Sequence, residues 1–302
     1  MRVGFILKPD KTEAGALLED LVPWLRDQGH VPVVTTEDQL APAGTEIVPE
    51  DELGASVDLA VALGGDGTML RAARLVSDHE RPVLGVNLGQ LGFLAGFAPG
   101  EAKSALGAAL ANQLRTTKRM RLAVTFKRAG AEPVVRCALN DCVLHQGALA
   151  RLVEIEAFVD NEFVASYRAD GVIVATPTGS TAYNMAAGGP IVVPGKLGLQ
   201  AMTLTPICAH ALTNRPLVIG SDAVIRLQLG HDVRGVMLTV DAQWGHSFLP
   251  GDVVEVTAAE KPLIMFASEQ SFFDVMREKL HWGARSDARA RAAAQRGTKG
   301  GS

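Results

Sequence analysis

Cysteine is scarce in this 302-residue chain. Cys137, Cys142 and Cys208 form no metal-ligand spacing and cannot all pair, which predicts reduced thiols and a cytoplasmic setting. Long apolar runs are missing as well. None approaches the roughly 18 residues that a membrane span needs, so an integral membrane protein is not expected. The opening run, Met1 to Lys8, is too short for a secretory signal and has no small-residue cleavage site behind it. An excess of one charge is also lacking, since 29 Lys+Arg stand against 33 Asp+Glu. With 47% hydrophobic residues, that balance excludes intrinsic disorder for most of the chain. Basic charge is thin outside the C-terminus. Residues 285–302 carry a net +4, leaving −8 for the remainder. An acidic body argues against a nucleic-acid binder, whose footprint is a basic face on the folded domain. The stretch 283–302, rich in Ala, Arg and Gly, reads as a disordered basic tail.

What is present is a length suited to about two domains and a change of texture near residue 116. Over 1–115, strand and helix patterns alternate. Residues 1–8 read as a strand, and a helical pattern from Thr12 to Gln28 places Leu17, Leu18, Leu21, Trp24 and Leu25 on one face. Pro23 inside that pattern predicts a kink or a split. Asp58–Leu63 and Pro82–Asn87 are apolar runs of the kind buried on both faces of a parallel sheet. Helices are expected up to Val76 and over Glu101–Asn112. This predicts an α/β nucleotide-binding domain with a parallel sheet.

From Thr116 to about 265, period-two runs succeed one another at 121–127, 134–144, 152–159, 162–167, 171–175, 223–229, 235–240 and 253–257. They predict a mostly antiparallel, sandwich-like β domain, with Asp160-Asn161 as a hairpin turn and one helical candidate near 181–187. The basic stretch Lys118, Arg119, Arg121 reads as a solvated strand face. Ser271–His281 gives a last amphipathic helix that must pack back on one of the domains, the first being favoured.

Two segments carry chemistry. Gly64-Gly65-Asp66-Gly67-Thr68 ends a strand and opens a helix, a natural anion site: glycine permits positive φ and lets backbone N–H groups approach phosphate. It is neither a Walker A loop nor a dinucleotide G-x-G-x-x-G. A carboxylate in such a turn repels phosphate unless it has a task, either activating an attacking hydroxyl or holding the cation of a nucleoside triphosphate. The second segment, 169–194, contains Thr176-Pro-Thr-Gly-Ser-Thr-Ala-Tyr183, a hydroxyl-rich loop leading into a short helix. Thr178, Ser180 and Thr181 suit a helix cap or a ligand, and Tyr183 offers a flat ring to a base.

Taken together, these blocks resemble those of the NAD kinases. Val86-Asn-Leu-Gly-Gln-Leu-Gly-Phe-Leu94, Ala138-Leu-Asn-Asp-Cys-Val-Leu144 and Pro206-Ile-Cys-Ala-His-Ala-Leu212 share the resemblance, which spans roughly 1–282 in the bacterial order. The Gly-Gly-Asp-Gly-Thr block alone also resembles diacylglycerol and sphingoid kinases; the Thr176–Tyr183 block is the specific signal. The resemblance implies transfer of the γ-phosphoryl group of ATP, or of polyphosphate, to the adenosine-ribose 2′-hydroxyl of NAD. It implies Asp66 as proton acceptor, Gly67 and Arg71 beside the nucleotide, and Phe93 as a wall of the adenine pocket. Asn140 and Asp141 resemble the pair that handles ribose hydroxyls, and Arg151, Arg168 and Asp170 match substrate-contacting positions. Thr181, Ala182, Tyr183, Asn184, Met185 and Ala186 match the segment around adenine, and Gln243 the end of an Asp-Gly-Gln pattern. That pattern reads Asp241-Ala242-Gln243 here, so a different turn is expected, and Ala186 stands where relatives often have Ser. The resemblance further implies Mg²⁺ delivered with ATP, and a homodimer or homotetramer whose NAD pocket borrows from a neighbouring subunit. A lipid kinase and a non-catalytic NAD(P)-binding sensor are the alternatives. No helix with a basic polar face is available to dock the former on a membrane.

Overall fold

Buried apolar strands followed by one-sided helices build the first layer. A computed structural model describes residues 1–9, 12–38, 40–90, 92–147, 152–195, 198–230 and 235–281. Arg151, two positions of the loop after Lys8 and the segment 283–302 lie outside these residues. The first part runs β1 (Arg2–Leu7), α1 (Thr12–Asp27), β2 (Val31–Thr35), β3 (Glu46–Val48), α2 (Leu53–Ser56), β4 (Leu59–Gly64), α3 (Asp66–Val76), β5 (Val83–Asn87), α4 (Ala102–Leu110) and β6 (Thr116–Arg119). The β-rich part adds β7 (Leu122–Lys127), β8 (Val134–Ala138), β9 (Asp141–Gln146), β10 (Val153–Val159), β11 (Glu162–Ala169), β12 (Gly171–Ala175), α5 (Tyr183–Ala186) and β13 (Ala201–Ile207). It continues through β14 (Leu217–Gly220), β15 (Ile225–Leu229), β16 (Val236–Val240), β17 (Trp244–Phe248) and β18 (Val253–Ala258). β19 (Leu263–Phe266) and α6 (Phe272–Leu280) close the chain.

The first sheet has the order β3-β2-β1-β4-β5-β19-β6 and is parallel except at β19/β6. All six residues of β4 are buried, as a central parallel strand requires. Helices α1 and α4 cover one face and α2 and α3 the other, giving two apolar layers. From β1 the order runs one way to β2 and the other way to β4. The C-terminal ends of β1 and β4 therefore flank a topological switch point, where open α/β sheets form their ligand crevice.

Two antiparallel six-stranded sheets, β11-β10-β15-β18-β7-β8 and β14-β13-β12-β9-β16-β17, face each other across one core. Leu122, Val124, Ile155 and Val256 from the first sheet meet Cys142, Leu144, Val174 and Leu238 from the second. Asp160 and Asn161 both take positive φ, 49° and 69°, so the β10–β11 hairpin turns where the sequence placed it.

Several expectations need correction. Pro23 does not split α1; it is exposed, so the carbonyl it leaves unpaired one turn earlier faces water. The run 134–144 is two strands, β8 and β9, in different sheets, which puts Cys137 and Cys142 in separate sheets. Strands β6 and β19, at the two ends of the β-rich stretch, join the first sheet instead. The period-two reading passed over β13, whose Met202-Thr203-Leu204-Thr205 run does alternate, and all seven of its residues are buried. Its Thr203 and Thr205 are satisfied internally by Asn184. Nor is the stretch 118–121 wholly a solvated face. Arg121 is 2% exposed and its guanidinium meets Asp78 at 2.6 Å and the Lys261 carbonyl at 2.9 Å. Arg119 Nε is buried without a partner among the described residues, and burial lowers that guanidinium's pKa.

Candidate active site

At the switch point the chain leaves β4 through Gly64-Gly65 and enters α3 at Asp66. None of Gly64, Gly65 and Gly67 adopts positive φ, so left-handed backbone is not why glycine stands here. Their role is space. A side chain on Gly64 would meet Thr68 Oγ1 at 2.1 Å, whereas Gly65 and Gly67 open onto free volume with nothing within 4 Å. The first turn of α3 thus presents bare backbone to a cavity of about 550 Å³ lined by Leu7, Lys8, Arg74 and Gln243, among others.

Asp66 is held from the neighbouring loop. Its carboxylate accepts hydrogen bonds from the backbone N–H of Phe93 at 3.1 Å and of Leu94 at 3.0 Å. The favourable end of the α3 dipole adds to this. One third of the side chain stays exposed, so the oxygens are fixed and still reachable. Gly92 makes room for them: a Cβ there would lie 2.1 Å from Asp66 Oδ1.

A second carboxylate organises the β-rich side. Asp241, in the β16–β17 turn, accepts from the backbone N–H groups of Leu139 at 2.7 Å, Asn140 at 2.7 Å and Asp141 at 3.1 Å. The β8-to-β9 crossing is shaped by that collar, which sequence reasoning did not find. The same turn sends Gln243 Nε2 to the Gly67 carbonyl at 3.1 Å, joining the sandwich to the glycine loop. Below the crossing, Thr176 N–H donates to the Asn140 carbonyl at 2.9 Å and Thr176 Oγ1 to the Leu139 carbonyl at 2.5 Å. Gly179 is indispensable there, because a Cβ would sit 2.0 Å from the Asn140 carbonyl oxygen. Asp66, Gly67, Asn140, Asp141, Gln243 and the Thr176–Thr181 loop are thereby linked through short contacts.

Asp141 is 6% exposed, and burial together with the nearby Asp241 carboxylate pushes its pKa from 3.8 up to about 7. Burial also raises Asp241, against its three backbone donors. The raised Asp141 makes folding bind a proton that the unfolded chain releases above about pH 4. Its contribution to stability therefore falls as pH rises from about 4 to about 7 and stays low above that. Asp141→Asn should raise the Tm more at pH 8 than at pH 5, by on the order of 5 °C, in paired thermal melts. An equal shift at both pH values would contradict the assignment.

Asp241 and Ala242 both take positive φ, 51° and 53°, and the Gln243 N–H closes the turn on the Val240 carbonyl at 3.0 Å. The Asp-Ala-Gln sequence thus forms a left-handed turn, with the alanine in a conformation that costs a side-chain-bearing residue about 1 kcal/mol. Ala242→Gly should raise stability by about 0.5–1 kcal/mol with activity retained, measured by denaturant unfolding.

Other predicted residues take different places. Arg71 lines the same cavity as Asp66 and Gly67, with its guanidinium in ion pairs with Asp38 at 2.8 Å and Glu50 at 2.6 Å and donating to Thr35 Oγ1 at 3.2 Å. Asn184 is fully buried; its amide donates to the carbonyls of Ser180 and Pro190 and accepts from Thr203 and Thr205. The hydroxyls of Ser180 and Thr181 donate to carbonyls within their own loop. Tyr183 is 47% exposed and Ala186 is exposed, while Ala182 and Met185 are half-buried. Arg168, near the end of β11, and Asp170 are exposed, and Asp170 sits at the opposite end of β12 from Thr176, roughly 20 Å away along the strand.

Comparison with known proteins matches this arrangement. Residues 3–114 fit the family model of the ATP-NAD kinase N-terminal domain, and residues 139–267 that of the C-terminal domain. The chain belongs to the NAD kinase family. The NAD kinase of Geotalea daltonii is 39% identical over 285 residues, covering 94% of this chain and 99% of that relative. The NAD kinase of Solibacter usitatus is 40% identical over 283 residues, covering 93% and 98%. Among solved structures, yeast NADH kinase complexed with NADH superposes with a TM-score of 0.86 at 27% identity, covering 94% of this chain and 88% of that one. An Archaeoglobus fulgidus NAD kinase in complex with ATP gives 0.74 at 26% identity, covering 92% and 99%. The match through both halves closes the lipid-kinase alternative that the Gly-Gly-Asp-Gly-Thr block leaves open. Phosphorylation of NAD is the activity that membership assigns to this chain.

Proposed function

We propose that Asp66 is the general base in the transfer of the ATP γ-phosphoryl group to the adenosine-ribose 2′-hydroxyl of NAD. The observation carrying this is the carboxylate fixed by two backbone donors at the switch-point crevice while its oxygens remain reachable. A ribose hydroxyl is a poor nucleophile, so a positioned acceptor takes its proton as the new P–O bond forms and the bond to the donor's bridging oxygen breaks. In such transfers the protein contributes mainly alignment and charge stabilisation. Asn140 and Asp141 orient the ribose, Phe93 and Tyr183 border the adenine, and the open backbone of Gly65 and Gly67 faces the donor phosphates. The Gln243–Gly67 contact keeps the donor and acceptor sides in register.

On the donor side, the Asp66 cavity shares Leu7, Lys8 and Pro9 with a groove of about 670 Å³ that continues past Thr12, Gly15 and Ala16 to Leu40. Glu19 and Glu37 also line it, while its third carboxylate, Asp38, is taken up by the Leu7 N–H and the Arg71 guanidinium, leaving Glu19 and Glu37 for a ligand. Those carboxylates suit ribose hydroxyls or an exocyclic amine and repel a polyanion, which favours ATP over polyphosphate. Mg²⁺ would arrive with ATP, held by the phosphate oxygens and not by a protein cage, and would supply neutralisation of phosphate charge.

We read the assembly as a homodimer or homotetramer in the cytoplasm. In this reading Arg168 and Asp170, exposed near the start of β12, serve a neighbouring subunit's NAD, and Leu212, exposed in the turn after His210, whose N–H donates to the Arg168 carbonyl at 2.8 Å, offers apolar contact area. The test is to supply NAD and Mg²⁺ with either ATP or polyphosphate and to follow NADP with an NADP-specific dehydrogenase. NADP from ATP, and little from polyphosphate, supports the reading. NAD binding without turnover on either donor would assign a sensor instead.

A further inference from the structure

The last turn of α6 reaches the reacting centre from the far end of the chain. Lys279 Nζ lies 3.8 Å from Asp66 Oδ2 and 4.8 Å from the centre of the Phe93 ring. Phe272, at the start of the same helix, packs its ring 5.9 Å from that of Phe93. Asp66, Gln90, Gly92, Glu278 and Lys279 together line a cavity of about 490 Å³. Helix α6 is fixed at its start by a reciprocal cap, Ser271 Oγ accepting from Asp274 N–H at 3.1 Å and Asp274 Oδ2 accepting from Ser271 N–H at 3.0 Å. Its buried face carries Val275 and Met276, four and three residues before Lys279, so all three share one side of the helix. The fold therefore sets the position of the ammonium.

A carboxylate that receives a proton beside an arriving phosphoryl group holds negative charge against negative charge. The charged groups around Asp66 divide unequally. Across the crevice, Arg71 is engaged by Asp38 and Glu50, and Arg74 by Glu50. Lys8 lines the same cavity as these two, and on α6 Glu278 adds negative charge beside Lys279. Among the described residues, Lys279 is the cation within ion-pair distance of the Asp66 carboxylate.

We propose that Lys279 is a positioning residue for phosphoryl transfer: its ammonium keeps the Asp66 carboxylate against the Phe93 and Leu94 N–H groups and offsets that carboxylate's charge against the arriving phosphoryl group. The proposal rests on Asp66 being the base. It assigns a function to the C-terminal helix, which otherwise only packs.

The test compares Lys279→Met, which keeps an apolar stem over Phe93, with Lys279→Arg and Lys279→Ala in the full chain. Lys279→Met should lower kcat roughly ten- to a hundredfold with KM for NAD little changed. Lys279→Arg should recover most of kcat, and added ethylamine should partly rescue Lys279→Ala. Packing alone predicts neither the recovery by Arg nor the rescue by a free amine. In the Asp66→Asn background the Lys279→Met effect should vanish. Full activity of Lys279→Met, or equal loss in Met and Arg without amine rescue, would overturn the proposal. If Asp66→Asn were itself active, the base assignment would fail first and take this one with it. An inactive Asp66→Asn beside a fully active Lys279→Met would remove the Lys279 role alone.

Discussion

Asp66→Asn should reduce kcat by about 10³- to 10⁴-fold while NAD binds within a few-fold of the original affinity. The amide is nearly the same size and keeps one of the two backbone contacts: Phe93 donates to Oδ2 at 3.1 Å and Leu94 to Oδ1 at 3.0 Å, and only one of these atoms becomes the amide oxygen. What it cannot do is take a proton from a hydroxyl at neutral pH. The fold of α3 does not depend on that charge, because the helix is anchored by a buried face of Met69, Leu70, Ala72, Ala73, Leu75 and Val76. Steady-state kinetics beside calorimetric NAD titration separates the two effects. Loss of binding in step with kcat would make Asp66 a binding residue only.

Gly92→Ala should lower kcat about a hundredfold with a Tm shift of no more than a few degrees. The new methyl would overlap Asp66 at 2.1 Å from Oδ1 and 2.7 Å from Cγ. Backbone is not the obstacle; a carboxylate on a rotatable bond is, and it can swing aside at small cost. Swinging aside breaks both backbone hydrogen bonds and moves the base by an ångström or more, a displacement of the size that costs such a rate factor. The paired measurement is kcat against thermal stability. A large Tm loss with kcat retained in the folded fraction would show that Gly92 serves packing and not the base.

Much of the α/β half was legible because its signals are local. Six successive buried residues announce β4, and Gly64-Gly65-Asp66 marks the crevice directly behind it. The hairpin at Asp160-Asn161 was equally plain, since those two residues tolerate positive φ better than most. What escaped depends on pairing across long stretches of chain. Asp241 shapes the Leu139–Asp141 crossing from a hundred residues away, and nothing in its own neighbourhood announces that role. The burial of strand β13 on both faces hides because Thr203 and Thr205 look solvent-facing until the buried Asn184 is placed beside them. Arg71 shows the opposite case. A basic residue one turn after Asp66 suits a phosphate by spacing, yet Asp38 and Glu50, from the segments that follow β2 and β3, engage it. Asn184 likewise falls inside the motif expected around adenine, and its side chain is spent on holding the loop.

The most direct test of Asp66 as base in the NAD phosphorylation is a single turnover. Enzyme preloaded with NAD is mixed with γ-³²P-labelled ATP and Mg²⁺ and quenched in acid, wild type and Asp66→Asn in parallel, with occupancy of both substrates verified by equilibrium dialysis. The account predicts rapid appearance of label at the 2′-position of NADP in the wild type, and at least a thousandfold slower transfer in the fully loaded variant. Label transfer at a comparable rate in Asp66→Asn would contradict it.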